Sequence, residues 1–299
     1  MKQPASFRAI SRKLSDAYGE ERLLFKLGLL GIGLGAIGLV LMAARGRTIA
    51  PEGDLYRAAS FSIAIGIYIL TLILFIPFAG FSSRGLRWWR WWTIALGLYA
   101  YSVENIQIYR GLNPRFTRVG SVADNVLGTL FGFVALGLIV MFLFLTWRFF
   151  RNRNEVKNRL LLLAIRYGCV ATIFGFVAGV LMGANQGSQV GTAGSMLPFH
   201  AAGFHGLQAV PLVALLLSWA HMPLEAARRW VHAAGLAWLG LMAAIAWQTM
   251  RGHSILEPSL LMLLAGSLMF IWLLCAARAV ISCGHANSHR YTARSRAAA

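Results

Sequence analysis

The stretch FKLGLLGIGLGAIGLVLMAA, from Phe25 to Ala44, decides the fold. Its GLGAIG, Gly33–Gly38, matches the glycine fingerprint of dinucleotide-binding folds letter for letter. That fingerprint works only where a strand leads into a helix inside a soluble βαβ unit, with the glycines at the turn. Here the flanks are apolar on both sides, and the run has about 20 residues, enough to cross a bilayer as a helix. Closely spaced glycines inside such a helix let a second backbone approach. The stretch therefore reads as a membrane span.

The rest of the chain agrees. Of its 299 residues 58% are hydrophobic and only 13% charged, and the mean hydropathy is +0.63. These values lie outside the soluble globular range. Apolar runs near 25–44, 59–80, 91–110, 124–147, 160–183, 199–221, 230–250 and 257–280 predict about eight transmembrane helices. The expected fold is an all-α, polytopic helical bundle over 25–280. A basic segment precedes it (1–24), and a basic, disordered tail follows (281–299). The third run is interrupted by Glu104, Asn105 and Gln107. No cleavage site follows the first run, so it reads as an uncleaved helix. No long internal repeat and no inverted repeat stands out.

The net charge of +18 comes in short clusters between apolar runs. No nucleic-acid-binding signature accompanies it. With the N-terminus inside, about 20 Lys and Arg fall on the cytoplasmic side and about seven outside, the bias of the positive-inside rule. Both termini are then cytoplasmic, in a plasma (inner) membrane, and the partners are anionic headgroups on the cytoplasmic side. RWWRWW, Arg87–Trp92, fits an aromatic belt at that interface. Cys169, Cys275 and Cys283 form no CxxC or disulfide framework.

Polar residues gather toward the outer ends of two spans. Tyr101, Glu104 and Gln107 recur at i,i+3 and share a helix face, with Arg110 one step further out. His200, His205 and Gln208 enter the sixth run. Counted at 1.5 Å per residue, Glu104 and His205 lie at similar depth, roughly 10 Å from the outer surface. An ionisable group inside a span is costly, about 2.5–3.5 kcal/mol for Asp on insertion scales, and is usually paired or functional. Arg110 is a natural partner for Glu104. His253 and Glu257 lie at the outer ends of the last two spans.

The expected function is a binding or redox role. In it His200, His205 or His253, with Glu104, holds a haem b or a transition metal in an outer-face pocket. His200 and His205 are five apart, hence about 140° around a helix, and do not chelate one ion together in regular geometry. A solute or proton transporter, an outer-face enzyme using Glu104 and His205 as acid and base, and a structural scaffold are the alternatives.

Overall fold

The computed structural model describes residue 16, residues 18–151 and residues 158–298, with side chains up to 284. Most of the basic N-terminal segment and part of the basic stretch after Arg151 lie outside the described residues. Among the described residues the chain forms eight long helices. Seven are long and apolar enough to cross a membrane. This is a multi-pass, all-α membrane protein. The exception is the third helix, the one whose apolar run the sequence already shows interrupted.

The 25–280 stretch is divided between two compact units, which meet in sequence at Arg151 and Asn152. In the first, α1 (Arg22–Arg45) leads through strands β1 (Thr48–Ile49) and β2 (Gly53–Asp54) into α2 (Leu55–Phe75). Then come α3 (Ser83–Tyr109) and α4 (Val122–Arg151). The second has α5 (Arg159–Ala184), β3 (Gln189–Val190), β4 (Gly194–Ser195), α6 (Leu197–Trp219), α7 (Leu224–Met250) and α8 (Leu260–Ala298). The backbone of α8 continues past 280, through the stretch that reads as a tail.

The two units repeat one plan. Thr48 pairs with Asp54 in one hairpin, and Gln189 with Ser195 in the other. These positions are 141 residues apart, as 189 is from 48. The same offset relates the bonds that tie each hairpin down. Glu52 N–H donates to the Gly111 carbonyl at 2.8 Å and Ala193 N–H to Gly252 at 3.0 Å. Leu55 N–H donates to Arg47, and Met196 N–H to Ser188, both at 2.8 Å. A β-carbon at Gly53 would lie 2.6 Å from the Ile108 carbonyl oxygen, and one at Gly194 2.6 Å from that of Thr249. Both glycines are small because the hairpin sits on the backbone of the third helix of its unit. Gly111 and Gly252, at φ 78° and 82°, turn the chain out of that helix. So a long internal repeat does exist, contrary to the sequence expectation. Each unit places its hairpin, the C-terminus of its third helix and the following turn at one end, here the hairpin end.

Within each unit the first helix lies along the second. Gly35 approaches the Ala59 carbonyl, and Gly175 approaches that of His200, at 2.9 and 3.1 Å from a built β-carbon. Such proximity is what small residues permit where dispersion, not water exclusion, drives packing. At the other end of the first unit, buried Trp89 donates its indole N–H to the Met141 carbonyl at 3.0 Å. Arg90 grips Glu21 with two bonds of 2.6 and 2.7 Å.

Candidate functional site

The hairpin end of the first unit buries a carboxylate. Glu104, fully buried on α3, accepts a 2.7 Å ion-pair bond from Arg115 in the turn beyond that helix. The Arg115 guanidinium lies between two rings, 5.3 Å from the Phe61 centroid and 4.9 Å from that of Phe131. Aromatic faces favour a cation there. Arg57, in the first turn of α2, lies within electrostatic reach of both Glu104 and Arg115. No described side chain forms a hydrogen bond with its guanidinium. Two guanidinium groups thus face one buried carboxylate.

The partner expected for Glu104 differs. Arg110 turns to Asp124 at 2.6 Å and to the Gln107 side-chain oxygen at 2.7 Å. Gln107 in turn donates to Asp124 at 3.0 Å. Asp124 also accepts from the Ser121 hydroxyl at 2.7 Å, which fixes the start of α4. Gln107 and Arg110 therefore belong to a neighbouring network, one that joins α3 to α4.

Below the ion pair, Asn105 donates to the Ser62 hydroxyl at 3.0 Å and to the Tyr101 carbonyl at 2.9 Å. Its own side-chain oxygen, the Tyr101 hydroxyl and Glu104 Oε1 are buried with no hydrogen-bond partner among the described residues. Buried polar atoms are nearly always satisfied by protein, water or ligand. Three such atoms occur within five residues of one helix, two of them acceptors and the third a hydroxyl that donates or accepts.

Glu52 fastens the turn that carries Arg115. It accepts from the Asn113 N–H at 3.2 Å, the Thr117 hydroxyl at 2.6 Å and the Arg118 N–H at 2.9 Å. The Thr117 bond, then the backbone bonds, hold its carboxyl below the ordinary 4.5 despite a smaller opposing effect of burial. A carboxyl with a lowered folded pKa stabilises above its unfolded pKa. That contribution is lost as pH falls through the folded value. Hydrogen-exchange protection of the Asn113 and Arg118 amides, corrected for the intrinsic pH dependence, is therefore expected to fall below about pH 4.5. In Glu52→Gln it should be independent of pH in that range.

The histidines lie in the second unit. His200, half-buried on α6, places Nδ1 2.7 Å from the Gly175 carbonyl, and its ring lies 4.9 Å from that of Phe204. His205 is exposed and Gln208 half-buried. His253 bonds Glu257 at 2.8 Å in an exposed turn. There Glu257 also accepts from the Ser254 N–H at 3.0 Å. Among the described residues no group of three or more His, Cys, Asp or Glu gathers that could hold a metal ion.

Arg57, Arg115 and Ser62 are site residues that the sequence does not join to Glu104, and Asn105 reads there only as an interruption of the third run. Arg115 lies eleven positions beyond Glu104, across a turn, and Arg57 lies at the start of a different helix, so no periodicity joins them. The second unit supplies a comparison from within the chain. At the positions 141 residues on, Met242 stands for Tyr101, Ile245 for Glu104, Ala246 for Asn105, Leu256 for Arg115 and Pro198 for Arg57. The same scaffold closes there without one of these polar groups. No protein-family model matches the chain, and no curated protein or solved structure is detectably similar to it.

Proposed function

We propose that the protein binds a small polar solute at the hairpin end of its first unit, as a membrane receptor or as one step of transport. The observation that carries this reading is the contrast between the two copies. A buried ionic cluster that the fold needed would recur in both, whereas it occurs in one. Keeping a charge inside a span is costly, so its presence in a single copy points to use.

The cluster's chemistry defines the solute. Arg57 presents a planar fork of donors suited to a carboxylate or similar acid. Glu104 Oε1 and the Asn105 side-chain oxygen are acceptors awaiting a donor, such as an ammonium or amide group. A small amino acid carries both. By the positive-inside bias this end faces outward, and all eight helices cross, with both termini cytoplasmic. The third helix crosses because its counterpart α7 is apolar enough to do so.

A role in haem or metal redox chemistry has weaker support. The Nδ1 atoms of His200 and His253 lie against a helix carbonyl and a carboxylate.

The test is a thermal-shift screen of the purified protein in mild detergent against small amino acids, dicarboxylates and amines. A true ligand at 100 times its Kd stabilises by about 2.7 kcal/mol. The expected result is a saturable shift with a zwitterion, lost in Arg57→Gln. Folded protein that shifts with none of the panel contradicts the proposal.

A further inference from the structure

The opposite end of the first unit carries a second feature, built from residues that the sequence of its copy does not repeat. Phe144 on α4 is its centre. Its ring lies 5.9 Å from Trp88, 5.8 Å from Trp147 and 5.9 Å from Phe81. Two guanidinium groups flank this aromatic cluster. Arg148 lies 5.4 Å from the Phe81 centroid and Arg151 5.2 Å from that of Trp147. Arg148 donates one bond, from Nε, to the Ala79 carbonyl at 3.1 Å. Neither arginine has an acidic partner among the described residues. The carboxylate of Glu21, at the same end, is taken by Arg90. Trp88 and Trp147 are about half exposed.

We propose that this patch is a binding site for an anionic phospholipid. The phosphate sits between Arg148 and Arg151, and the glycerol and upper acyl chains lie on Trp88, Phe144 and Trp147. Guanidinium forks suit phosphate oxygens, and indole rings suit the boundary between headgroup and hydrocarbon. A general interfacial belt would be built alike in both units. Instead Arg229 stands 141 residues on from Trp88, and on the fourth helix, where the serines that open it, Ser121 and Ser259, are 138 apart, the sequence has Ser282 for Phe144, His285 for Trp147, Ala286 for Arg148 and His289 for Arg151. No aromatic ring of Phe or Trp and no arginine stands at those α8 positions in the sequence, and charge complementarity selects an anionic headgroup over a zwitterionic one. This site lies at the other end of the unit from the Glu104 cluster and does not depend on the solute.

The test is native mass spectrometry of the full chain in detergent, titrated with phosphatidylglycerol, phosphatidylcholine or inorganic phosphate. The expected result is one phosphatidylglycerol retained per chain more tightly than phosphatidylcholine. Its affinity should fall about tenfold or more in R148Q/R151Q, the loss of about two charge-assisted contacts. R151Q alone, at an exposed position that does not disturb the fold, should lose part of it. Arg251→Gln, at an exposed arginine of the other unit, should lose none. Equal retention of phosphatidylcholine overturns the proposal in favour of a nonspecific belt. Full competition by inorganic phosphate overturns it in favour of a simple anion site. Unchanged binding in R151Q and R148Q/R151Q overturns it outright.

Discussion

Glu104→Ala is expected to lower the unfolding free energy by about 3–5 kcal/mol, the cost of leaving a buried charge without its partner. Arg115 would then lie between Phe61 and Phe131 with no carboxylate. Relaxation is limited, because the turn that carries Arg115 is held by three bonds to Glu52. The informative comparison is E104I/R115L, which copies the residues of the second unit, Ile245 and Leu256. Replacing a buried ion pair by apolar side chains is often neutral or stabilising by 1–4 kcal/mol. The double variant should therefore unfold at or above the midpoint of the parent protein, while the single variant unfolds well below it. Thermal or denaturant unfolding in one detergent reads both. If the double variant is as unstable as Glu104→Ala, the ion pair supports the fold.

Gly111→Ala is expected to destabilise by about 2–5 kcal/mol, and Gly252→Ala by only about 1–2 kcal/mol. Both residues have positive φ, near 80°, where a β-carbon costs about 1–2 kcal/mol. Their surroundings separate them. At Gly111 the added carbon would collide with the Ala50 carbonyl oxygen, whereas at Gly252 its nearest neighbour is the Gly191 α-carbon at 3.2 Å. The excess cost at Gly111 measures how tightly the hairpin is seated on the end of α3. Equal losses would show that backbone conformation alone accounts for both.

Much of the fold is legible in the sequence, because a helix that crosses a bilayer must be apolar over most of its length. Each predicted span lies on a helix, with ends displaced by up to eight residues. The end of α8 is an exception. Apolar composition marks the end of a span, whereas a helix continues as long as no residue breaks it, and 281–298 contains no proline. The internal repeat was hidden for a related reason. Lipid-facing positions accept almost any apolar residue, so the copies keep little beyond what backbone geometry requires. Gly53 and Gly194, Gly111 and Gly252, Gln107 and Gln248, and Trp89 and Trp230 are among the identities that remain. Distributed this thinly, they resemble chance.

The candidate site was half legible. Glu104 is conspicuous because a carboxylate inside an apolar run has an energetic cost that composition reveals. Its partner is not, because an arginine in a turn between helices is unremarkable until the turn folds back. Arg110, closer in sequence and on the same helix, is the natural expectation, yet Asp124 claims it. The histidines drew attention by residue type alone. One lies against a helix carbonyl, one is exposed, and one pairs with a carboxylate in an exposed turn.

The most direct test of the central claim is a binding titration of the solute found in the screen against the parent protein and E104I/R115L, each shown to be folded. The proposal predicts saturable binding by the parent protein and none by the double variant, at equal or greater stability. Undiminished binding by a stable double variant would contradict it, because the solute would then be recognised somewhere other than the Glu104 cluster.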